Sequence, residues 1–122
     1  MGNISTYKKD VSIIKIVEAD LSLLEVSPAP KERKFPYFCT WANGKKVGIA
    51  TEYIEDEKAY LVDISTNKIF SSVSFKNDEL PSSIGMPIYV TAKGELTGKK
   101  EGNTEAGLFM GLEKGAVLFK LQ

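Results

Sequence analysis

Two aromatic rings and a pair of lysines share one short stretch of this chain. In residues 31–54, KERKFPYFCTWANGKKVGIATEYI, Tyr37 and Trp41 stand four positions apart, and Lys45 and Lys46 follow after Ala42, Asn43 and Gly44. Side chains of an extended segment alternate between two faces, so Tyr37, Cys39 and Trp41 would share one of them. A flat ring beside an ammonium group can stack a planar partner, and nucleic-acid bases are the commonest such partner near lysines. More cations frame the pair. Lys31, Arg33 and Lys34 precede it, and Lys99 and Lys100 tip a glycine-rich stretch much later in the chain.

Chemistry of other kinds finds little to work with. The chain has no histidine, which removes the commonest general base and metal ligand. The serines at 71, 72, 74, 82 and 83 therefore lack an imidazole to activate them, and no motif supports a Ser-Lys pairing. TGKKEG, residues 97–102, lacks the spacing of a phosphate-binding loop. Glu18, Asp20, Glu25, Glu52 and Asp63 read as solvated carboxylates, and Glu55-Asp56-Glu57 has neither the alternation nor the glycine of a calcium loop. Cys39 is the single cysteine, so no intramolecular disulfide forms and a structural zinc site has no ligand set. Only Lys46 lies close enough in sequence to lower its pKa, so the thiol reads as packed. The expectation is a binding protein rather than an enzyme, with no cofactor and no metal.

At 122 residues the chain is expected to form a single all-β domain over 1–122, with residues 1–10 as a flexible arm. Sixteen basic and sixteen acidic side chains cancel, which excludes a DNA-coating protein of strongly basic type but allows a local basic groove. Lys8, Lys9 and Asp10 interrupt the start before an apolar run develops, so no signal peptide is read, and no stretch is long enough to span a bilayer. A cytoplasmic (intracellular) location follows, of the sort a small phage or plasmid protein would have. MGNIST fits the N-myristoylation pattern at Gly2, with Thr6 in place, although so short a pattern also arises by chance.

The elements that must position these residues are strands. Asn43-Gly44 favours a two-residue type I′ loop, since both positions can take φ > 0. Pairing outward sets Trp41 opposite Lys46, Thr40 opposite Val47, Cys39 opposite Gly48, Phe38 opposite Ile49 and Tyr37 opposite Ala50. One face, Phe38, Thr40, Val47 and Ile49, continuing through Thr51 and Tyr53, reads as core. Tyr37, Cys39, Trp41, Lys46, Gly48 and Ala50 form the other, where two rings stand across from residues too small to cover them, so that either a planar partner stacks there or a second layer of the chain covers the rings. Residues 11–26 read as two strands, or one bent near Ala19, because Ile14, Ile16, Leu21 and Leu23 alternate with a slip at residues 18–20. Residues 27–33 form a loop. A second hairpin is expected about Thr66-Asn67, with Tyr60, Val62 and Ile64 facing Ile69, Ser71 and Val73. Residues 77–85 allow at most one short helix, residues 87–97 read as a strand with Gly94 at a bulge or close approach, and residues 97–107 read as a polar loop. A third hairpin joins residues 108–112 to 116–121. About eight short strands with turn signals between them point to a small closed or partly open barrel, or alternatively to a β-sandwich.

An aromatic strand pair framed by an early basic loop and a late hairpin loop resembles the OB-fold single-strand binders. MPIYVTAKGEL, residues 86–96, is similar to the fourth-strand segment of bacterial single-stranded-DNA-binding proteins, where a short aliphatic strand ends in a glycine turn before a flexible loop. The resemblance implies that Tyr37, Trp41 and Lys46 stack and steer bases, while Arg33, Lys34, Lys99 and Lys100 meet phosphates. The alternative is a protein-protein interaction module, such as an inhibitor, immunity protein, adaptor or virion component, using the Tyr37/Trp41 patch as a hot spot. A free sheet edge would also let a second copy pair with it, giving a homo-oligomer.

Overall fold

A computed structural model of the protein describes residues 12–24 and 35–122. The expected N-terminal arm, the Gly2 pattern, the loop at 27–33 and the basic cluster Lys31, Arg33 and Lys34 lie outside the described residues. Ten strands lie within them: β1 Ile13–Val17, β2 Ser22–Leu23, β3 Tyr37–Trp41, β4 Lys46–Ile54, β5 Ala59–Asp63, β6 Phe70–Ser72, β7 Pro87–Val90, β8 Leu96–Thr97, β9 Thr104–Glu113 and β10 Ala116–Leu121. They form two antiparallel five-stranded sheets, ordered β1-β5-β4-β3-β2 and β6-β10-β9-β7-β8. The protein is all-β. Of the two architectures expected, the sandwich-like one is found, and the sheets do not close into a barrel.

The hairpin of β3 and β4 has the register that its turn dictates, from Tyr37 opposite Ala50 to Trp41 opposite Lys46. Asn43 and Gly44 take φ of 60° and 78°, and the Lys45 N–H donates to the Ala42 carbonyl at 3.2 Å, closing the loop. Further along β4 the pairing with β5 slips between Ala50 and Glu52. This bulge turns Tyr53 to the opposite face, where its ring lies 4.9 Å from that of Tyr60. The expected continuation of the Phe38 face through Thr51 and Tyr53 is thereby corrected: Thr51 is exposed and Tyr53 packs with Tyr60 instead.

The first sheet is curled. Its outermost strands, β1 and β2, are joined by residues 18–21 alone, with a 3-10 turn at Glu18–Asp20 where the sequence predicted a slip. A flat five-stranded sheet measures about 19 Å between its outer strands, at about 4.8 Å per step. The link from Val17 to Ser22 extends to at most about 18 Å, and a 3-10 turn shortens it further. The edges must therefore approach one another. Ile14, Ile16, Leu21 and Leu23 then pack with Cys39, Ala50, Tyr60 and Val62 inside the curl. A second core lies between the sheets, where Phe38 and Ile49 meet Ile88, Val90, Phe109, Val117 and Phe119.

The expected second hairpin does not form. β5 belongs to the first sheet and β6 to the second, so residues 64–69 cross between layers. Asp63 accounts for this. It is 2% exposed, and its carboxylate accepts the Ser65 N–H at 2.9 Å and Lys68 Nζ at 2.7 Å. Ser65 Oγ accepts the Ser12 N–H at 2.7 Å, and the Ile64 N–H donates to the Ser12 carbonyl at 2.9 Å. These local bonds take the place of a hairpin ladder. Ile69 and Val73, expected on the face shared with Tyr60, Val62 and Ile64, are exposed, whereas Phe70 packs onto Phe119.

The third hairpin forms about Lys114-Gly115, with φ of 50° and 79°, and β9 begins four residues earlier than expected. Residues 87–97 are a hairpin rather than one strand: Thr91 accepts the Gly94 N–H at 2.9 Å, and Gly94, with φ of 81°, sits in the turn between β7 and β8 instead of at a bulge. Asn77–Glu79 is the expected short helical turn. Among the described residues no helix is long and apolar enough to cross a membrane.

Candidate functional site

The face of Tyr37, Cys39 and Trp41, which the sequence left open either to a planar ligand or to cover by a second layer of the chain, is largely the interior of the curl. Cys39 and Ala50 are completely buried on it, and Gly48 is buried between them. Trp41 lies half-buried at its end, because Gly48 leaves room for the ring: a Cβ at that position would stand 3.1 Å from two atoms of the indole and 2.6 Å from Val62 Cγ1. Burial pushes the Cys39 thiol up to about 12, against weaker lowering by the backbone of Gly48 and Ala50, and Sγ donates to the Gly48 carbonyl at 3.5 Å. A thiol so placed is chemically idle.

Tyr37 and Trp41 occupy opposite ends of β3 and do not form one platform. Tyr37 meets Phe35 edge to face at 5.4 Å, and Phe35 in turn lies 6.2 Å from Tyr60, so Tyr37 continues an aromatic run that ends at Tyr53. Trp41 instead borders two clefts. In one, of about 380 Å³, it is joined by Lys45, Lys46, Ile64, Glu105 and Gln122. In the other, of about 580 Å³, it is joined by Ile16, Asp20, Ser22, Thr40 and Asn43. Lys45 and Lys46 are exposed and make no ion pair among the described residues.

The remaining cations sit apart from this group. Lys99 lies 3.3 Å from Glu79 Oε2, and the Thr97 hydroxyl donates to Glu79 Oε1 at 2.9 Å. That hydroxyl and then Lys99 hold the Glu79 carboxyl below its ordinary pKa. Lys99 thus fastens the turn at Asn77–Glu79 to the end of β8. Lys100 is exposed in the turn that leads into β9. Asp63 is also held below the usual carboxylate range: burial raises its pKa, and hydrogen bonds from Lys68 and Ser65, with the charge of Lys68, outweigh that effect.

Sequence reasoning missed Ile64, Glu105 and Gln122 as neighbours of Trp41. Glu105 and Gln122 arrive through the meeting of the two sheets, and Ile64 from the end of β5 two strands away in the first sheet, and no short-range signal announces either. Among the described residues no group of three acidic or cysteine side chains could hold a metal ion. No protein-family model, no curated protein and no solved structure matches the chain.

Proposed function

We propose that the protein is a non-enzymatic binding protein that takes up single-stranded nucleic acid at the Trp41 cleft. One observation carries this reading: a half-buried indole shares a recess with two lysines that no carboxylate engages among the described residues. A base stacks on the exposed part of Trp41 while Lys45 and Lys46 meet flanking phosphates. The set is smaller than the sequence implied, because Tyr37 stands at the far end of β3 and Lys99 is tied to Glu79. The reading rests on this cleft and not on the OB-fold resemblance.

With one tryptophan in the chain, fluorescence reports this site alone. Oligo-dT added at low salt is expected to quench Trp41. With two phosphate contacts, log affinity should fall against log salt with a slope of about −1.4. Replacing Lys45 and Lys46 by alanine should abolish most of that slope. Absence of quenching by excess oligonucleotide at low salt would reject the proposal.

Asp20 and Glu105 flank the same ring, one in each cleft, and this mixture of charges favours a second reading in which Trp41 anchors a protein partner. Under it, oligonucleotide leaves Trp41 unchanged. Where the partner is a second copy of the chain, Trp41→Ala lowers the mass measured in solution by light scattering.

A further inference from the structure

At the other end of β3, where the two sheets part, a cavity of about 130 Å³ opens to the surface. Tyr37, Phe38, Ile49, Phe70 and Phe119 wall it, and none of these borders the Trp41 clefts. Its rings are held in place by their neighbours. Phe119 lies 5.4 Å from Phe38, tilted by 37°, and stacks on Phe70 at 5.6 Å and 24°. Lys68 Nζ sits 5.1 Å from the Phe70 centroid and is itself bound to Asp63. Rings braced in this way do not collapse into the space beside them, so the recess persists as a shaped void.

Size and lining define what fits. An apolar cavity of about 150 Å³ takes up benzene, so this recess suits a single ring. Apart from its apolar walls it is lined by Gly94 and by Ser71, Ser72 and Ser74, and no lysine, arginine, aspartate or glutamate borders it. A charged ligand would lose its hydration with nothing to replace it, whereas hydroxyls can satisfy one polar substituent. We infer that this slot binds a small uncharged ring compound of the phenol type, its ring among Phe38, Phe70 and Phe119 and its hydroxyl toward the serines. The inference is independent of what the Trp41 cleft binds.

The test is an amide NMR titration of the full chain with phenol, using benzoate as the charged control of similar size. Phenol should give saturable shifts at Phe38, Ile49, Phe70, Ser72 and Phe119 at about millimolar concentration. The Trp41 amide should stay in place, and benzoate should move none of these signals. Ser72→Leu, on the edge strand β6, fills the slot and should weaken phenol at least about tenfold. Ile49→Phe fills it from the opposite sheet and decides the matter if the first variant does not fold. Lack of saturation, shifts centred elsewhere, equal binding of benzoate, or full affinity in a folded filled variant would each overturn the assignment.

Discussion

A single missing methyl group sets the position of the only tryptophan. Gly48 lies under the indole and against Val62, which is fully buried and β-branched, so neither neighbour yields easily. Gly48→Ala should therefore cost about 1–3 kcal/mol through overpacking. A urea melt followed by Trp41 emission would measure it, and the folded variant should emit further to the red as the ring moves outward. An unchanged midpoint and unchanged emission would mean that the contact is loose. Cys39, two residues from Trp41 and completely buried, provides a second check at this scale. With its thiol pushed up to about 12, it should resist a thiol reagent in the native protein and react only as fast as the chain opens. Rapid labelling under native conditions would contradict the buried placement. The pairing of Cys39 with Gly48 was legible in the sequence because it depends on a turn four residues away. Which elements enclose the same face was not, because β1 and β2 supply the lid from a distant part of the chain.

Turns with strong local chemistry gave elements that the sequence placed correctly, and turns overruled by a buried charge did not. Asn43-Gly44 imposed its register on β3 and β4, and the break at Glu18–Asp20 fell where the alternation slipped. Thr66-Asn67 lost to Asp63, whose bonds to Ser65 and Lys68 lead the chain from one sheet to the other. No hydropathy pattern marks an aspartate as the one that will be buried. Its native pKa lies below the unfolded value of about 3.9, so its contribution is fully present above that pH and disappears as pH falls through the native value. Asp63→Asn should lower stability at neutral pH by about 1–2 kcal/mol, toward the modest end because Lys68 is partly solvated. It should also flatten the acid limb of a stability profile below about pH 4. Glu79, also held below its ordinary value, keeps part of that limb in the variant. An acid limb identical to that of the parent protein would remove Asp63 from this role.

The two sheets meet mainly through β3 and β4 on one side and β7, β9 and β10 on the other, and that meeting shapes the ring slot and the cleft of Lys45 and Lys46, whereas the cleft at Asp20 and Ser22 lies within the first sheet. A strand count and the spacing of turns were enough to specify an all-β chain. They could not decide between barrel and sandwich, because that choice depends on which strands become edges. The curled sheet settles its own edges in a particular way. One run, β1 through β2, lies along both margins, with the Glu18 N–H on the Lys58 carbonyl at 2.8 Å and the Leu24 N–H on the Phe38 carbonyl at 3.0 Å. It works as the buckle of a belt: released at one side, it slackens the loop and frees the other. Hydrogen exchange should find the Glu18 and Leu24 amides opening at a common rate, although they hang from opposite rims of the same sheet.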